Sequence, residues 1–482
     1  MSVQSSSSSS AQEQLRPNTI GLPGVLFQSI TTMAPASAVA FSLGAAIPFA
    51  GGALPLAVLI ALVICPFIAL CIGAMAKYLP SAGGYYTYVS HSLGTHAGWL
   101  TGWLFSLAYL LIVPFQLLVL GPTADDFVKS TFGLSLGANG WAVWAVIFAL
   151  IVFGLTYFGI KISADVGVVL GVIEIGVFVL LSIWLIVDAG SHNTLQTFNP
   201  ASSLQHGLDG WQGILFGIIF VFLAFAGFES SAPLAEETQN PRRTVPRAIL
   251  LSVIIIGIFY VFCSYAGVVG WGLDKIAAYP NDANPWGTLA KRVWGPFEFI
   301  VILAILNSAL ANSNAGVNAA TRVLFAMGRA GTLPAPLAHL NRYRVPDVAI
   351  VLTMIIAVIF SLWPGFVYGP SQAFALLGAI ITVPILLVYM ATCISVPFFY
   401  RREHANEFNV WRHIVVPVIP FIFLLIVLYF QFVPLPAAPL NLVGPICAAW
   451  LVLGVIIVVL LGLRNPDTLA AGRAIYAEGE EA

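Results

Sequence analysis

Charge is what this sequence has least of. Among 482 residues, Lys and Arg number 19 and Asp and Glu 20, or 8% together, against about 25% in ordinary soluble domains. So few charges cannot cover the surface of a soluble protein of this length, which excludes a cytosolic enzyme, a nucleic-acid binder and a secreted disulfide scaffold. Cysteine is scarce too. Cys65, Cys71, Cys263, Cys393 and Cys447 all fall inside apolar runs, which speaks against a disulfide framework or a metal site. The histidines (His91, His96, His192, His206, His339, His404, His413) lie in loops or near the ends of those runs, without metal-ligand spacing. No GxSxG, HExxH or Walker pattern occurs. No cofactor, metal or nucleotide is therefore expected, and the chain is not expected to be an enzyme.

What the sequence does have is apolar length: hydrophobic residues make up 59%. A helix needs roughly 20 apolar residues to cross about 30 Å of hydrocarbon. Twelve such runs occur, at about 24–48, 53–77, 96–120, 141–160, 162–187, 212–235, 247–272, 296–325, 346–363, 371–399, 413–433 and 440–463. A membrane barrel shows alternating strands of ~10 residues instead. Lipid offers no partner to exposed backbone groups, so the runs read as helices of an all-α membrane protein.

Lys and Arg then set the orientation. With both termini on one side, that side holds Arg16, Lys77, Lys161, Arg242, Arg243, Arg247, Arg322, Arg329, Arg342, Arg344, Arg401, Arg402, Arg412, Arg464 and Arg473. The other side holds Lys129, Lys275, Lys291 and Arg292. The asymmetry predicts cytoplasmic termini and a multi-pass protein of the cell membrane. Trp141, Trp211, Trp271, Trp286, Trp294 and Trp363 fall near the outer span ends, as an aromatic belt requires. The serine-rich opening reads as a disordered cytoplasmic tail over 1–19, with no cleaved signal peptide. The membrane domain then runs over 20–463, and a second short cytoplasmic tail over 464–482.

Two spans are interrupted. The first reads SITTMAPASAVAFSLG, with Pro35 flanked by Ala34, Ala36, Ser37 and Ala38. Proline removes a backbone donor and clashes with the preceding turn. The sixth reads VFLAFAGFESSAPLAEE, with Gly227 and then Glu229, Ser230, Ser231 and Pro233. Either can be an ordinary kink. A matched pair of interrupted spans is instead the pointer to a transporter binding site at mid-membrane.

At these residues the chain resembles the amino acid–polyamine–organocation (APC) permeases. The stretch FAGFESSAPLAEETQNPRRTVPRAI resembles their sixth helix and following loop, with Glu236 to Ile249 its most specific part. LPSAGGYYTYV (Leu79 to Val89), FGIK (Phe158 to Lys161) and ATRVLFAMGRAGTLP (Ala320 to Pro334) support it. The resemblance covers spans one to ten; spans eleven and twelve match in hydropathy alone. It implies a leucine-transporter-type inverted repeat of five helices plus five, here 20–188 and 211–400, followed by two helices at 413–463. It also implies discontinuous first and sixth helices around the substrate, and transport of amino acids or related amines by alternating access. The TTMAPASA stretch departs from the glycine-rich sequence of many members, which bears on substrate more than on fold.

Unwinding exposes carbonyls at the end of one half-helix and amides at the start of the next, so an α-amino acid can be held without charged side chains. Ala34 to Ala38 and Ala224, Phe225, Ala226, Gly227 and Phe228 are the expected binding segments. Phe222, Phe225 and Phe228, three residues apart, are expected roughly on one helical face, with Phe225 nearest the break as a lid over substrate; the alternative is helix or lipid packing. Glu174 sits in the middle of span five, where an acid costs roughly 2.5–3.5 kcal/mol and is functional by default. Burial disfavours its anion, so it is a candidate for proton coupling. It falls where proton-coupled relatives carry a lysine, so that role is not inherited. A neutral acid tying span five to span one or eight is the alternative. Glu229, beside the sixth-span break, either faces substrate or a gate, or satisfies unwound backbone. In span eight, Asn307, Ser308, Asn312, Ser313, Asn314 and Asn318 read mainly as interhelical hydrogen-bonding groups, with Ser313 and Asn314 kept as candidates for an ion pathway. Gly83, Gly84, Tyr85, Tyr86 and Tyr88 are expected at the inner mouth, the tyrosines either shaping an inner gate or, as the commoner case, serving as interfacial residues.

The expected function is secondary transport of an amino acid or small amine, by proton symport or exchange. A polyamine carrier, a Na⁺ symporter, a membrane-embedded enzyme and a channel are the alternatives. The expected partners are substrate, protons and lipid, without nucleic acid. Members of the family that disulfide-link to a partner subunit use a cysteine between spans three and four, and Gly121 to Gly140 has none.

Overall fold

The computed structural model describes residues 18–159, 164–282 and 284–474. The serine-rich opening, Lys161 and the end of the chain after Ala474 lie outside the described residues, and so do the expectations placed on them.

The first apolar run is broken into pieces. Helix α1 (Leu22–Thr32) stops before Ala34, whose φ of 49° and ψ of 64° are left-handed. A three-residue turn α2 (Pro35–Ser37) follows, then a π-helical segment over Ala38–Ser42, a 3-10 turn and the short α3 (Ile47–Ala50). Pro35 brings no N–H, so the carbonyl of Thr31 accepts from the Ala34 amide instead, at 3.1 Å. This is the loss that an interior proline imposes.

The remaining helices are α4 (Leu54–Ala76), α5 (Tyr85–Leu93), α6 (Thr95–Leu110), α7 (Ile112–Phe132), α8 (Gly140–Tyr157), α9 (Ala164–Ala189) and α10 (Trp211–Phe225). They continue with α11 (Pro241–Trp271), α12 (Pro285–Trp294), α13 (Phe299–Arg329), α14 (Asp347–Tyr368), α15 (Pro370–Glu403), α16 (Val416–Phe432), α17 (Val443–Arg464) and α18 (Pro466–Ala474). Eleven helical stretches among the described residues are long and apolar enough to cross a membrane. The expected sixth span is the exception. It keeps only the fifteen residues of α10 before breaking, and continues as turns and a 3-10 segment over Ala232–Glu237.

Three further expectations are corrected. The third span runs on: α6 and α7 form one apolar helical stretch over Thr95–Phe132, so the connection to α8 is 133–139 rather than Gly121 to Gly140. Asp125, Asp126 and Lys129 end the hydrophobic signal but not the helix. Tyr85, Tyr86 and Tyr88 are not interfacial; each is at most 1% exposed, packed in α5 between α6 and α15. Two belt tryptophans are interior. Trp141 lies against Gly365 and Phe366, and Trp286 lies over Gly267; the absent side chains of the two glycines give each indole its seat.

α4 and α11 form the most extensively paired couple in the fold, with α1, α9 and α10 packed around them. In lipid such pairing rests on close van der Waals contact rather than on removal of apolar surface from water. α17 packs more sparsely. It is held to α6 by Trp103 and Trp450, stacked at 4.1 Å, each indole N–H donating to the other's backbone carbonyl at 2.9 and 3.1 Å.

Candidate functional site at the paired helix breaks

The two interruptions meet. Gly227 follows the end of α10 with φ 118°, a conformation that L side chains rarely adopt. A β-carbon there would sit 2.7 Å from the carbonyl carbon and oxygen of Thr32, the last residue of α1. A turn over Gly227 to Ser231 carries the chain away from this contact, with the Ser230 amide on the Gly227 carbonyl at 3.0 Å and the Ala232 amide on that of Glu229 at 2.9 Å. Serines and threonine stitch the strands of the break together. Ser230 Oγ donates to Thr32 Oγ1 at 2.7 Å, Thr32 Oγ1 to the Gln28 carbonyl at 2.7 Å, and Ser29 Oγ to Ser231 Oγ at 3.0 Å.

A regular helix would saturate the carbonyls that a break sets free. Here side chains from other helices do so. Asn312 on α13 donates through Nδ2 to the Thr32 carbonyl. Tyr260 on α11 places its hydroxyl 2.6 Å from the Met33 carbonyl and 3.0 Å from that of Ala224. The Gly227 amide donates to Glu229 Oε2 at 3.0 Å. Other groups find no protein partner among the described residues: the amides of Ala36, Ser37 and Phe228, and the carbonyls of Phe225 and Ala226. Donors are thus left open on both sides of the contact, and acceptors on the side of the sixth span.

Glu229 is 0% exposed. Its carboxylate accepts from Tyr109 on α6 and Tyr389 on α15, both at 2.7 Å, besides the Gly227 amide. Three donors occupy its oxygens. Phe222, Phe225 and Phe228 do not share a helical face, because α10 ends at Phe225. The ring of Phe225 stands edge-on to Tyr260 at 5.4 Å, in the notch left by Gly257, and that of Phe228 stacks on Tyr389 at 5.5 Å. Both phenylalanines are fully buried.

Glu174 is 2% exposed in α9 and accepts from Asn307 Nδ2 on α13 at 2.6 Å. The helix that carries it, α9, packs against α1 and α2. Ser313 spends its hydroxyl on the Ala309 carbonyl of its own helix at 2.8 Å, and Asn314 is half-buried. Asn312, one residue earlier, is the span-eight side chain that reaches the break, and its Oδ1 is buried without a partner. Ser37 Oγ lies 3.2 Å from Gln116 Oε1 on α7. Further along the chain from α2, Leu43, Ile47, Ser264, Tyr279 and Trp286 help line a small cavity of about 10 Å³, room for about one water molecule.

Ion pairs and backbone contacts cross the face where the chain enters α1. Ile20 forms an isolated parallel bridge with Thr238. Glu237 pairs with Arg322 at 3.0 Å, and Glu236 with Arg329 at 3.0 Å while also accepting from the Ala82 amide at 2.9 Å.

Tyr109, Tyr260 and Tyr389 escape a reading of the sequence by motif. A signal exists, because tyrosine favours membrane interfaces and these three lie inside apolar runs. Their targets, the Glu229 carboxylate for Tyr109 and Tyr389 and two backbone carbonyls for Tyr260, are remote in the chain and become visible only in three dimensions.

The amino acid permease family model matches residues 24–468. Among curated relatives, the branched-chain amino acid permease BcaP of Lactococcus lactis is 28% identical, over 74% of this chain and 76% of its own. The L-asparagine permease of Escherichia coli is 26% identical, over 72% and 69%. The glutamate/serine transporter AimA of Bacillus subtilis is 25% identical, over 82% and 74%. Among solved structures, a manganese transporter of Eremococcus coleocola covers 94% of both chains with a TM-score of 0.54 at 13% identity, a likeness of fold alone. With the family model spanning nearly its whole length, this chain belongs to the amino acid permeases of the APC superfamily.

Proposed function

We propose that this protein carries a small α-amino acid across the cell membrane by alternating access, with the substrate held at the paired breaks. The observation that carries this reading is the set of open backbone groups there. Amides of Ala36, Ser37 and Phe228 suit a carboxylate, and carbonyls of Phe225 and Ala226 suit an ammonium. Pairing of both signs without a free charged side chain fits a zwitterion better than a polyamine. A polyamine calls for unoccupied carboxylates, and those of Glu229 are taken. The branched-chain, asparagine and glutamate/serine specificities of the relatives make neutral amino acids the first to try.

In the same reading α10 crosses the membrane as well, giving twelve spans in a five-plus-five inverted repeat over 20–188 and 211–400. The termini are cytoplasmic, as the distribution of Lys and Arg supports. The Arg322–Glu237 and Arg329–Glu236 pairs close the cytoplasmic side, so the state is closed inward. Ala34, Pro35, Ala36, Ser37 and Ala38 line one side of the substrate, and Ala224 to Phe228 the other. Glu229 shapes the break rather than touching substrate. Glu174 is the proton-coupling group for symport or exchange.

The test is uptake into proteoliposomes holding the purified protein, with radiolabelled L-leucine, L-asparagine and L-serine competed by all common amino acids and by putrescine. Saturable uptake of an α-amino acid that putrescine leaves unaffected is expected. Absence of protein-dependent uptake rejects transport, and competition by putrescine alone rejects the zwitterion site.

A further inference from the structure

We infer that Tyr260 holds both helix breaks open, standing in for the two backbone amides that would otherwise close them; this rests on the binding reading above. Along a continuous helix the carbonyl of residue i takes the amide of residue i+4. Met33 would take Ser37, and Ala224 would take Phe228. Tyr260 occupies both of those carbonyls, at 2.6 and 3.0 Å. Ser37 and Phe228 are among the residues whose amides are left without a protein partner among the described residues, and they lie in different breaks. A single hydroxyl, carried by the uninterrupted helix α11, therefore exposes one donor from each interrupted segment.

The surroundings hold the hydroxyl where this requires it. Tyr260 is 0% exposed. Its ring meets Phe225 edge-on at 5.4 Å, and Gly257, one turn earlier, leaves space that Leu62 and the Phe225 ring share. The phenol carries one proton for two acceptors, so it donates mainly to Met33 and shares with Ala224. The two interruptions are thereby tied to one point on α11, and a shift of either half-helix is felt by the other.

Tyr260→Phe keeps the ring and removes the donor. Two buried carbonyls then lack a partner, a costly condition, and the nearest donors able to relieve it are the amides of Ser37 and Phe228. Hydrogen exchange of the purified protein in detergent, read on peptides covering 33–38 and 224–230, is expected to slow about tenfold or more in the variant, the change that an added hydrogen bond of about 1.4 kcal/mol produces. Peptides from α16 and α17 are expected to exchange as in wild type. Unchanged or faster exchange at the two breaks overturns the inference, and this readout needs no substrate. In proteoliposomes the same variant is expected to raise KM about tenfold for whichever of L-leucine, L-asparagine or L-serine the wild type transports, with maximal rate within about twofold. A purely structural role would lower the amount of folded protein and the maximal rate, leaving KM alone. Tyr260→His, which returns a ring N–H donor, is expected to recover part of the exchange rate and also serves if the phenylalanine variant does not fold. Wild-type protein that moves no amino acid defeats the transport reading and leaves the exchange result to decide the role of Tyr260.

Discussion

Gly227 rests on Thr32 so closely that a methyl group has no room between them: a β-carbon would stand 2.7 Å from the Thr32 carbonyl. The φ of 118° at Gly227 is a second obstacle to any side chain. Gly227→Ala is expected to cost about 1–3 kcal/mol in strain and to part the two breaks. Uptake should fall at least about tenfold, while the folded protein remains detectable by size-exclusion chromatography. Near-normal uptake would mean that the contact does not shape the site.

The carboxylate of Glu229 depends on two tyrosines from separate helices. Tyr109→Phe or Tyr389→Phe each removes one donor from a fully buried acid, at a cost of about 1–3 kcal/mol. Because both donors serve one carboxylate, the double variant is expected to depart from additivity. Thermal unfolding in detergent measures all three.

Glu174→Gln preserves an acceptor for Asn307 and removes the titratable proton. If Glu174 couples protons, the variant should lose the rise and fall of uptake with external pH while counterflow exchange continues. An unaltered pH profile in proteoliposomes would assign Glu174 to structure alone.

On the face where the chain enters α1, Arg322 and Glu237 have side chains only 9% and 13% exposed. A hydrogen bond to a charged partner in such a place is worth about 1.5–3 kcal/mol. Arg322→Glu or Glu237→Arg alone should open this side, seen as faster labelling by a membrane-impermeant thiol reagent of a cysteine introduced at Ser81. Exchanging the two charges in one protein should restore much of the protection.

Glu407 lies in the connection between α15 and α16. The Tyr78 hydroxyl at 2.6 Å and the Lys77 ammonium at 3.2 Å hold its carboxyl below the usual carboxylate range. A lowered value in the folded state means that the stabilisation is present above the unfolded carboxylate range, about pH 4.3, and is lost as pH falls through the lowered value. The difference in melting temperature between wild type and Glu407→Gln should be small at neutral pH, because the pair is exposed. It should vanish in acid.

Much of the architecture was legible along the chain. Long apolar runs leave lipid as the only solvent, and the scarcity of charge does the same. Pro35 and Gly227 mark both interruptions, because one lacks an N–H and the other permits a φ that side chains forbid. Glu174 stands out because an acid amid apolar residues is costly. Span ends were less legible: α7 runs past Asp125, Asp126 and Lys129, since charges end a hydrophobic pattern without ending a helix. Among the six polar residues of span eight, the sequence singles out Ser313 and Asn314, but spacing does not say which one meets a freed carbonyl. Asn312 does, and Ser313, beside it, bonds within its own turn.

The sequence by itself determined that this is a helical membrane protein with two broken spans and a permease-type loop after the second break. Those properties follow from local composition and from the conformations open to single residues. The tertiary structure decided which backbone groups at the breaks are taken and which are left open. That depends on Tyr260 and Asn312 arriving from two other helices to take backbone carbonyls, while Tyr109 and Tyr389 arrive from two more to hold the Glu229 carboxylate. Hydrogen bonding acts over about 3 Å, so no spacing along the chain reveals which remote donor comes that close.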